Sequence, residues 1–256
     1  MAAVAPAQGW RIPRVSWAAS REPRFGSFLA ETVDRAGFVL VTDTPATREA
    51  ILGIARVMGS LELGIDEELS GPPVMDLRYD ESKAVRFDRP AYFSSNDFPL
   101  HTDLSYVANP PRYLLTLCVE RDAAGGGVSL LSDCRAAWSG LYPADRVRLG
   151  ARVFTFRNAP NTGDGECAAR GLHEAHGSHE LWRYRADTLE YPPELADSVD
   201  RFRRRLDEER LEISMERGDL LVIDNHRVVH GRTAFAAPSS RHLLRAYAQD
   251  PSLVLG

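Results

Sequence analysis

Short apolar runs follow one another between residues 112 and 247, and they restrict the fold more than any other feature of the chain. RYLLTLCV (112–119), VSLLSD (128–133), RVFTFRN (152–158), ELWRYRAD (180–187), LLVID (220–224), VVHGRTAF (228–235) and RHLLRAY (241–247) all have strand length and strand composition. Turn-forming stretches separate some of them, AAGGG at 123–127 and AAPSS at 236–240. Runs this short and this close point to antiparallel pairing. The first two are expected to form a hairpin across the glycine-rich turn, and the last two to run down one strand and back beside it.

Helical periodicity belongs to the front of the chain and to insertions. Phe25, Phe28, Leu29 and Val33 share a face over Phe25–Ala36, Gly37 ends that helix, and FVLVTD reads as a buried strand. Thr44 and Pro45 are expected to open a second helix with the stripe Ile51, Leu52, Ile54, Ala55 and Met58, closed by Gly59. Asp133–Leu149 and Leu195–Leu211 are also predicted helical. Residues 60–100 read as loop with one strand candidate at Val74–Tyr79, and such a stretch can cover a site. Residues 158–178 read as a polar loop. With no repeat and no convincing linker, the expectation is a single α+β domain over 1–256 whose sheet is an antiparallel barrel or jelly roll.

Composition excludes more than it selects. An apolar fraction of 44% supports a sizeable core. A net charge of -5 argues against nucleic acid as a partner. The basic block RFRRR (201–205) lies among acidic residues and reads as a solvated helix face. Cys118, Cys134 and Cys167 form no CxxC, no secretory leader is evident, and no apolar run is long enough to span a bilayer. A soluble protein of the reducing cytoplasm is expected.

The chemistry concentrates in PLHTDLSY and DNHRVVHGRTAF. On a strand, residues i and i+2 point to the same side, so His101 and Asp103 can converge on one ion. With His230 they make two imidazoles and a carboxylate, the set that holds Fe(II) on one face and leaves the other open. Zinc hydrolysis through a bound hydroxide uses the same set, and a jelly-roll binding protein with an inactive metal site is a third reading. Downstream, Arg241, Leu243, Arg245 and Tyr247 share a face. Spacing alone leaves open whether that face points inward; buried guanidinium groups would require an anion. His173, His176 and His179 form an evenly spaced HxxHxxH, but Gly177 and Ser178 interrupt any helix there. A polar loop over the site is expected rather than a second metal centre.

LHTDLSY, GGGVSLLSD and DNHRVVHGRTAF followed by SSRHLLRAY, in that order, resemble the Fe(II)/2-oxoglutarate dioxygenases of the taurine dioxygenase, γ-butyrobetaine dioxygenase and clavaminate synthase type. GFVLVTDTPATREAILGIARVMG is similar to the start of the same family, so the resemblance covers roughly residues 25–250. It implies a double-stranded β-helix (jelly roll) core with flanking and inserted helices, and iron on His101, Asp103 and His230. It implies that Arg241 binds the distal carboxylate of 2-oxoglutarate, that Arg245 is a second arginine toward cosubstrate or substrate, and that Ser129 stands where many members place a threonine near that carboxylate. His226 replaces a more usual Arg or Trp and is not expected to be a ligand. Halogenating relatives have Gly or Ala where this chain has Asp103, so the resemblance points to hydroxylation of an unactivated C–H with consumption of O2 and release of succinate and CO2. Desaturation, cyclisation and epimerisation use the same chemistry and stay open. Tyr92, Asn96, Asp97, Tyr106 and Arg245 are the candidate substrate contacts, suited to a small polar or amino-acid-like molecule. The chain is short for the family and its lid correspondingly slight, which leaves room for a carrier-tethered intermediate of natural-product tailoring. Neither a membrane nor a nucleic acid is an expected partner, and no sequence feature decides the oligomeric state.

Overall fold

The computed structural model describes residues 11–61, 73–82, 93–156 and 169–253. Two β-sheets lie face to face with helices on both outer sides. The larger sheet draws on β1 (Arg14–Ser16), β2 (Phe38–Thr42), β3 (Ser60–Leu61), β4 (Met75–Arg78), β6 (Tyr113–Glu120), β13 (Leu220–Asp224) and β15 (His242–Gln249). Its order is β1-β2-β13-β6-β15-β3, with β4 also pairing β15. The smaller sheet runs β12-β7-β14-β5, from Leu211–Ile213, Ser129–Asp133, Val228–Arg232 and Phe98–His101. Apart from the parallel β1–β2 pair, the ladders in both sheets are antiparallel. This is the jelly roll.

Side-chain parity explains why the central strands are apolar without alternation. Phe38 and Leu40 of β2 and Leu221 and Ile223 of β13 face the smaller sheet, where they meet Leu131, Ile213 and Val228. Their neighbours Val39, Val41, Leu220 and Val222 face outward onto α1 (Phe25–Ala36) and α2 (Arg48–Met58). A strand covered on both sides needs apolar residues at every position, and each fully buried Leu, Val or Phe contributes about 1.5–3 kcal/mol. The smaller sheet is covered by α3 (Cys134–Ser139), α4 (Pro143–Gly150) and α5 (Ala196–Glu208), through Leu130 and Val229 packed with Phe202, Leu206 and Trp182.

Several expectations change. The two expected hairpins do not form: β6 pairs β13 and β15, whereas β7 pairs β12 and β14. Likewise β14 and β15 belong to different sheets. The turns at 121–128 and 233–241 therefore carry the chain across the gap between sheets, about 10 Å in such sandwiches. The helix expected over Asp133–Leu149 is two helices, because Gly140 caps the first and Pro143 starts the second. Thr47, not Thr44, caps α2, accepting the Ala50 N–H at 3.3 Å. The polar loop expected over 158–178 contains β9 (His173–His176), paired antiparallel with β10 (His179–Trp182) across Gly177. β8 (Thr155–Phe156) pairs with β11 (Leu189–Glu190).

Candidate metal and cosubstrate site

His101 ends β5 and His230 lies in the middle of β14, and the register sets them directly opposite one another with ring centroids 4.3 Å apart. Asp103 is not on the strand. β5 stops at His101, and Asp103 lies in the following turn, next to Leu104 at φ 58°. A left-handed leucine costs of order 1–3 kcal/mol and persists only where its surroundings impose it. Here Asn225, in the turn between β13 and β14, imposes it. Its Oδ1 accepts the Asp103 N–H at 2.7 Å, and its Nδ2 donates to the carbonyls of Asp103 and Pro111, both at 3.0 Å. Strand alternation thus accounts for His101, and the Asn225 clamp accounts for Asp103.

The ligand-type atoms of His101, Asp103 and His230 all lie within 4.8 Å of one another, and all three residues are buried. Asp103 Oδ1 is 3.1 Å from His101 Nε2 and 3.7 Å from His230 Nε2. Asp103 Oδ2 accepts from Arg245 Nη1 at 2.9 Å and from the Tyr247 hydroxyl at 2.8 Å. His101 Nδ1 lies 2.8 Å from the Pro99 carbonyl, which can only accept, so the proton is on Nδ1 and the Nε2 lone pair faces the cluster. Both ring nitrogens of His230 are buried without a hydrogen-bond partner among the described residues. Such an imidazole is unfavourable unless something else occupies that space. Burial would raise the Asp103 carboxyl, but Arg245, His230 and His101 hold it well below the usual carboxylate range. Burial and His101 push His230 well down. One carboxylate and two imidazoles are the donors that a divalent iron takes, so the residues fit that ion.

A narrow cavity opens from this cluster between the sheets. Thr116, Ser129, Arg232, Arg241 and Arg245 provide its polar lining, and Leu131, Leu221, Ile223 and Leu243 much of its apolar wall. The shared face of Arg241, Leu243 and Arg245 therefore points inward, and it comes from the sheet opposite His230. Arg245 is matched by Asp103. The Arg241 guanidinium lies 5.7 Å from the Phe235 ring centre, and no carboxylate among the described residues is within ion-pair distance. Burial pushes it down to about 10. Gly127, at φ 68°, lies against this side chain; a Cβ there would stand 2.6 Å from Arg241 Nε. Ser129 Oγ is 3.6 Å from the Met215 sulfur.

Other predicted residues lie elsewhere. Asn96 and Asp97 are exposed, and the Asp97 carboxylate accepts the Ala234 N–H at 2.7 Å, which ties down the end of β14. Tyr106 packs against the outer core beneath α5. Tyr92 lies outside the described residues. None of the HxxHxxH histidines joins the metal group. His173 lies between Trp138 and Trp182, 3.2 Å from Glu180. His179 Nε2 meets His226 Nδ1 at 2.8 Å, and His226 donates from Nε2 to the Pro110 carbonyl at 2.8 Å. Burial pushes His226 down to about 3, so it is a neutral clamp on the turn after Asp103. Arg183, 1% exposed, holds the same turn through the carbonyls of Ser105, Val107 and Ala108. Asn225, Arg183 and Arg232 are the site residues that sequence reasoning missed, whereas Tyr247 lies on the face it shares with Arg241 and Arg245. Parity would have found Arg232, which follows His230 by two positions.

A family model described as taurine catabolism dioxygenase TauD, TfdA family matches residues 4–247. A curated relative, dioxygenase str8 of Strobilurus tenacellus, is 27% identical over 170 residues, 60% of this chain and 39% of that protein. The chain thus spans about two fifths of that relative's length. Among solved structures, an asparagine oxygenase in complex with Fe(II), 2S,3S-3-hydroxyasparagine and succinate superposes with TM-score 0.76 at 18% identity, covering 88% of this chain and 78% of that one. The non-heme iron oxygenase OrfP with Fe and alpha-ketoglutaric acid gives TM-score 0.74 at 19% identity, covering 90% and 81%. At such identities the likeness shows a common fold.

Proposed function

We propose, from the premise that this chain belongs to the TauD/TfdA dioxygenase family, that it is a non-haem Fe(II)- and 2-oxoglutarate-dependent dioxygenase over its whole length, hydroxylating an unactivated C–H of a small polar or amino-acid-like substrate. The observation that carries the reading is a buried His101–Asp103–His230 cluster that shares one cavity with an inward-facing Arg241, which no carboxylate among the described residues pairs. Zinc hydrolysis would leave that arginine without a role. The chemistry supplied by bound Fe(II) is activation of O2 coupled to decarboxylation of 2-oxoglutarate to succinate and CO2.

The protein's own groups prepare that reaction. His101, Asp103 and His230 would hold the ion with one negative charge. Arg245 and Tyr247 occupy the second oxygen of Asp103, which stops the carboxylate from rotating and leaves Oδ1 for the metal. Arg241 pairs with the distal carboxylate of the cosubstrate, and a guanidinium fork suits that anion. Ser129, on the same cavity wall, adds a hydroxyl. Leu131, Leu221 and Ile223 exclude water from the space between them. Arg245 also lines the cavity and is the candidate here for an anionic group of the substrate.

A hydroxylated amino acid and succinate in the asparagine oxygenase complex support a free amino-acid-like substrate. The dioxygenase relative supports the assignment to oxygen chemistry, and natural-product tailoring, with a free or carrier-tethered substrate, is consistent with it. No helix among the described residues is long and apolar enough to cross a membrane, and Cys118 and Cys134 are free and buried, which suits a cytoplasmic setting. The test is anaerobic loading with Fe(II) and 2-oxoglutarate, then O2 uptake and succinate release with a panel of amino acids. Product analysis separates hydroxylation from desaturation, cyclisation or epimerisation. A protein that binds no Fe(II) and turns over no 2-oxoglutarate with any substrate refutes the reading.

A further inference from the structure

Arg232 shares the inward face of β14 with His230 and lines the same cavity as Arg241. It is 8% exposed. Its Nη2 donates to the carbonyls of Ser94 at 2.9 Å and Asn96 at 2.6 Å. Its guanidinium carbon lies 4.7 Å from the centre of the Phe235 ring, the same ring that Arg241 approaches to 5.7 Å. Its Nε is buried and has no partner among the described residues. Two carbonyls satisfy one nitrogen, and among the described residues no carboxylate lies within ion-pair distance of the charge, Asp97 acting on it only from farther away. A clamp on carbonyls alone needs only a neutral donor, and an unmatched buried charge is unfavourable. Arg241 is in the same condition, whereas the charge of Arg245 is matched by Asp103. Positive charge is thus in surplus around Phe235, away from Asp103.

We propose that Arg232 is a second cationic anchor for the distal carboxylate of 2-oxoglutarate, and that through it cosubstrate binding fixes the segment 94–96, whose Ser94 and Asn96 carbonyls it holds. A carboxylate has acceptor sites enough for donors from both guanidinium groups. Its arrival pairs the free Nε while Nη2 keeps its grip on the backbone. The segment that leads into β5, and hence into His101, is then held by the occupied site. The inference rests on the functional reading above.

The experiment titrates anaerobic, Fe(II)-loaded protein by calorimetry with 2-oxoglutarate and with 2-oxopentanoate, which has the same chain length but no distal carboxylate. Arg232→Met is expected to bind 2-oxoglutarate about ten- to hundredfold more weakly, the range for a lost charge-assisted hydrogen bond. Its affinity for 2-oxopentanoate stays at the wild-type value, and Arg232→Lys recovers part of the loss. Hydrogen exchange on the wild type needs no variant: peptides covering residues 93–98 gain protection with 2-oxoglutarate and not with 2-oxopentanoate. Wild-type affinity in Arg232→Met, or unchanged exchange at 93–98 in a wild type that binds 2-oxoglutarate, overturns the inference and leaves the functional reading intact. A wild type that binds no 2-oxoglutarate overturns both.

Discussion

Replacing Asn225 with alanine tests whether the metal site is built by a turn rather than by a strand. The side chain is 1% exposed and makes three hydrogen bonds of 2.7, 3.0 and 3.0 Å to the backbone of Asp103 and Pro111. Each is worth about 1 kcal/mol net, and stranding a buried backbone group costs about 1–3 kcal/mol. Asn225→Ala strands the Asp103 N–H and removes one acceptor's partner at each of two carbonyls, so a loss of about 3 kcal/mol is expected. That is a large part of the stability of an ordinary domain, about 5–15 kcal/mol. Urea unfolding of metal-free protein measures it without contribution from the ion. The second consequence is specific to the site: Asp103 loses the support that brings its carboxylate to His101, and Fe(II) affinity falls about 10- to 100-fold, as when the support of a ligand is removed. Asn225→Asp keeps the acceptor and loses the amide donors, and is expected to lie between the two. Wild-type Fe(II) affinity in a folded Asn225→Ala protein would refute the argument that this clamp places the carboxylate.

Three further outcomes follow from the geometry. Metal binds only the folded cluster, so a chelator lowers the thermal midpoint; Fe(II) at a thousandfold excess over its Kd adds about 4 kcal/mol, an increment expected to vanish in His230→Ala and measurable by anaerobic thermal denaturation. Burial raises Asp224, beside Arg112 at 3.6 Å, to about 6, above its unfolded value of about 3.9. The native state then holds more protons than the unfolded one between those values, so stability falls as pH rises from about 4 to about 6, by up to about 3 kcal/mol; Asp224→Asn flattens this slope, which urea unfolding at several pH values reads directly. Gly127→Ala sets a Cβ 2.6 Å from Arg241 Nε at a backbone φ of 68°; it is expected to cost about 1–2 kcal/mol in stability and to raise the KM for 2-oxoglutarate, read by succinate formation, whereas an unchanged KM would remove Arg241 from the cosubstrate's path.

The strands were legible because burial on both faces writes itself as an unbroken apolar run, as in FVLVT and LLVID. Their partners were not. Composition is blind to whether a turn such as AAGGG folds a strand back beside its predecessor or carries it to the opposite sheet. For the same reason spacing left the direction of Arg241 and Arg245 open, since it depends on which sheet receives β15. HEAH was read as loop because its side chains are polar, yet the backbone pairs it with HELW. His101, Asp103 and His230 stood out as residue types. The contacts that hold them, from Asn225, Arg183 and His226 to main-chain carbonyls, join positions far apart in the chain and leave no local pattern.

The opposition of His101 and His230 across β5 and β14 has a consequence for the sheet itself. β5 is the last strand of its sheet, paired there with β14, and among the described residues its other side has one isolated bridge, from His101 to Arg185. Successive strand residues face opposite ways, so a slip of one position would turn His101 to the far side and scatter the cluster. An ion held by both rings would act as a rivet between two segments about half the chain apart, excluding shifted pairings. Loading the metal and proofreading the alignment of the outermost strand are then one event.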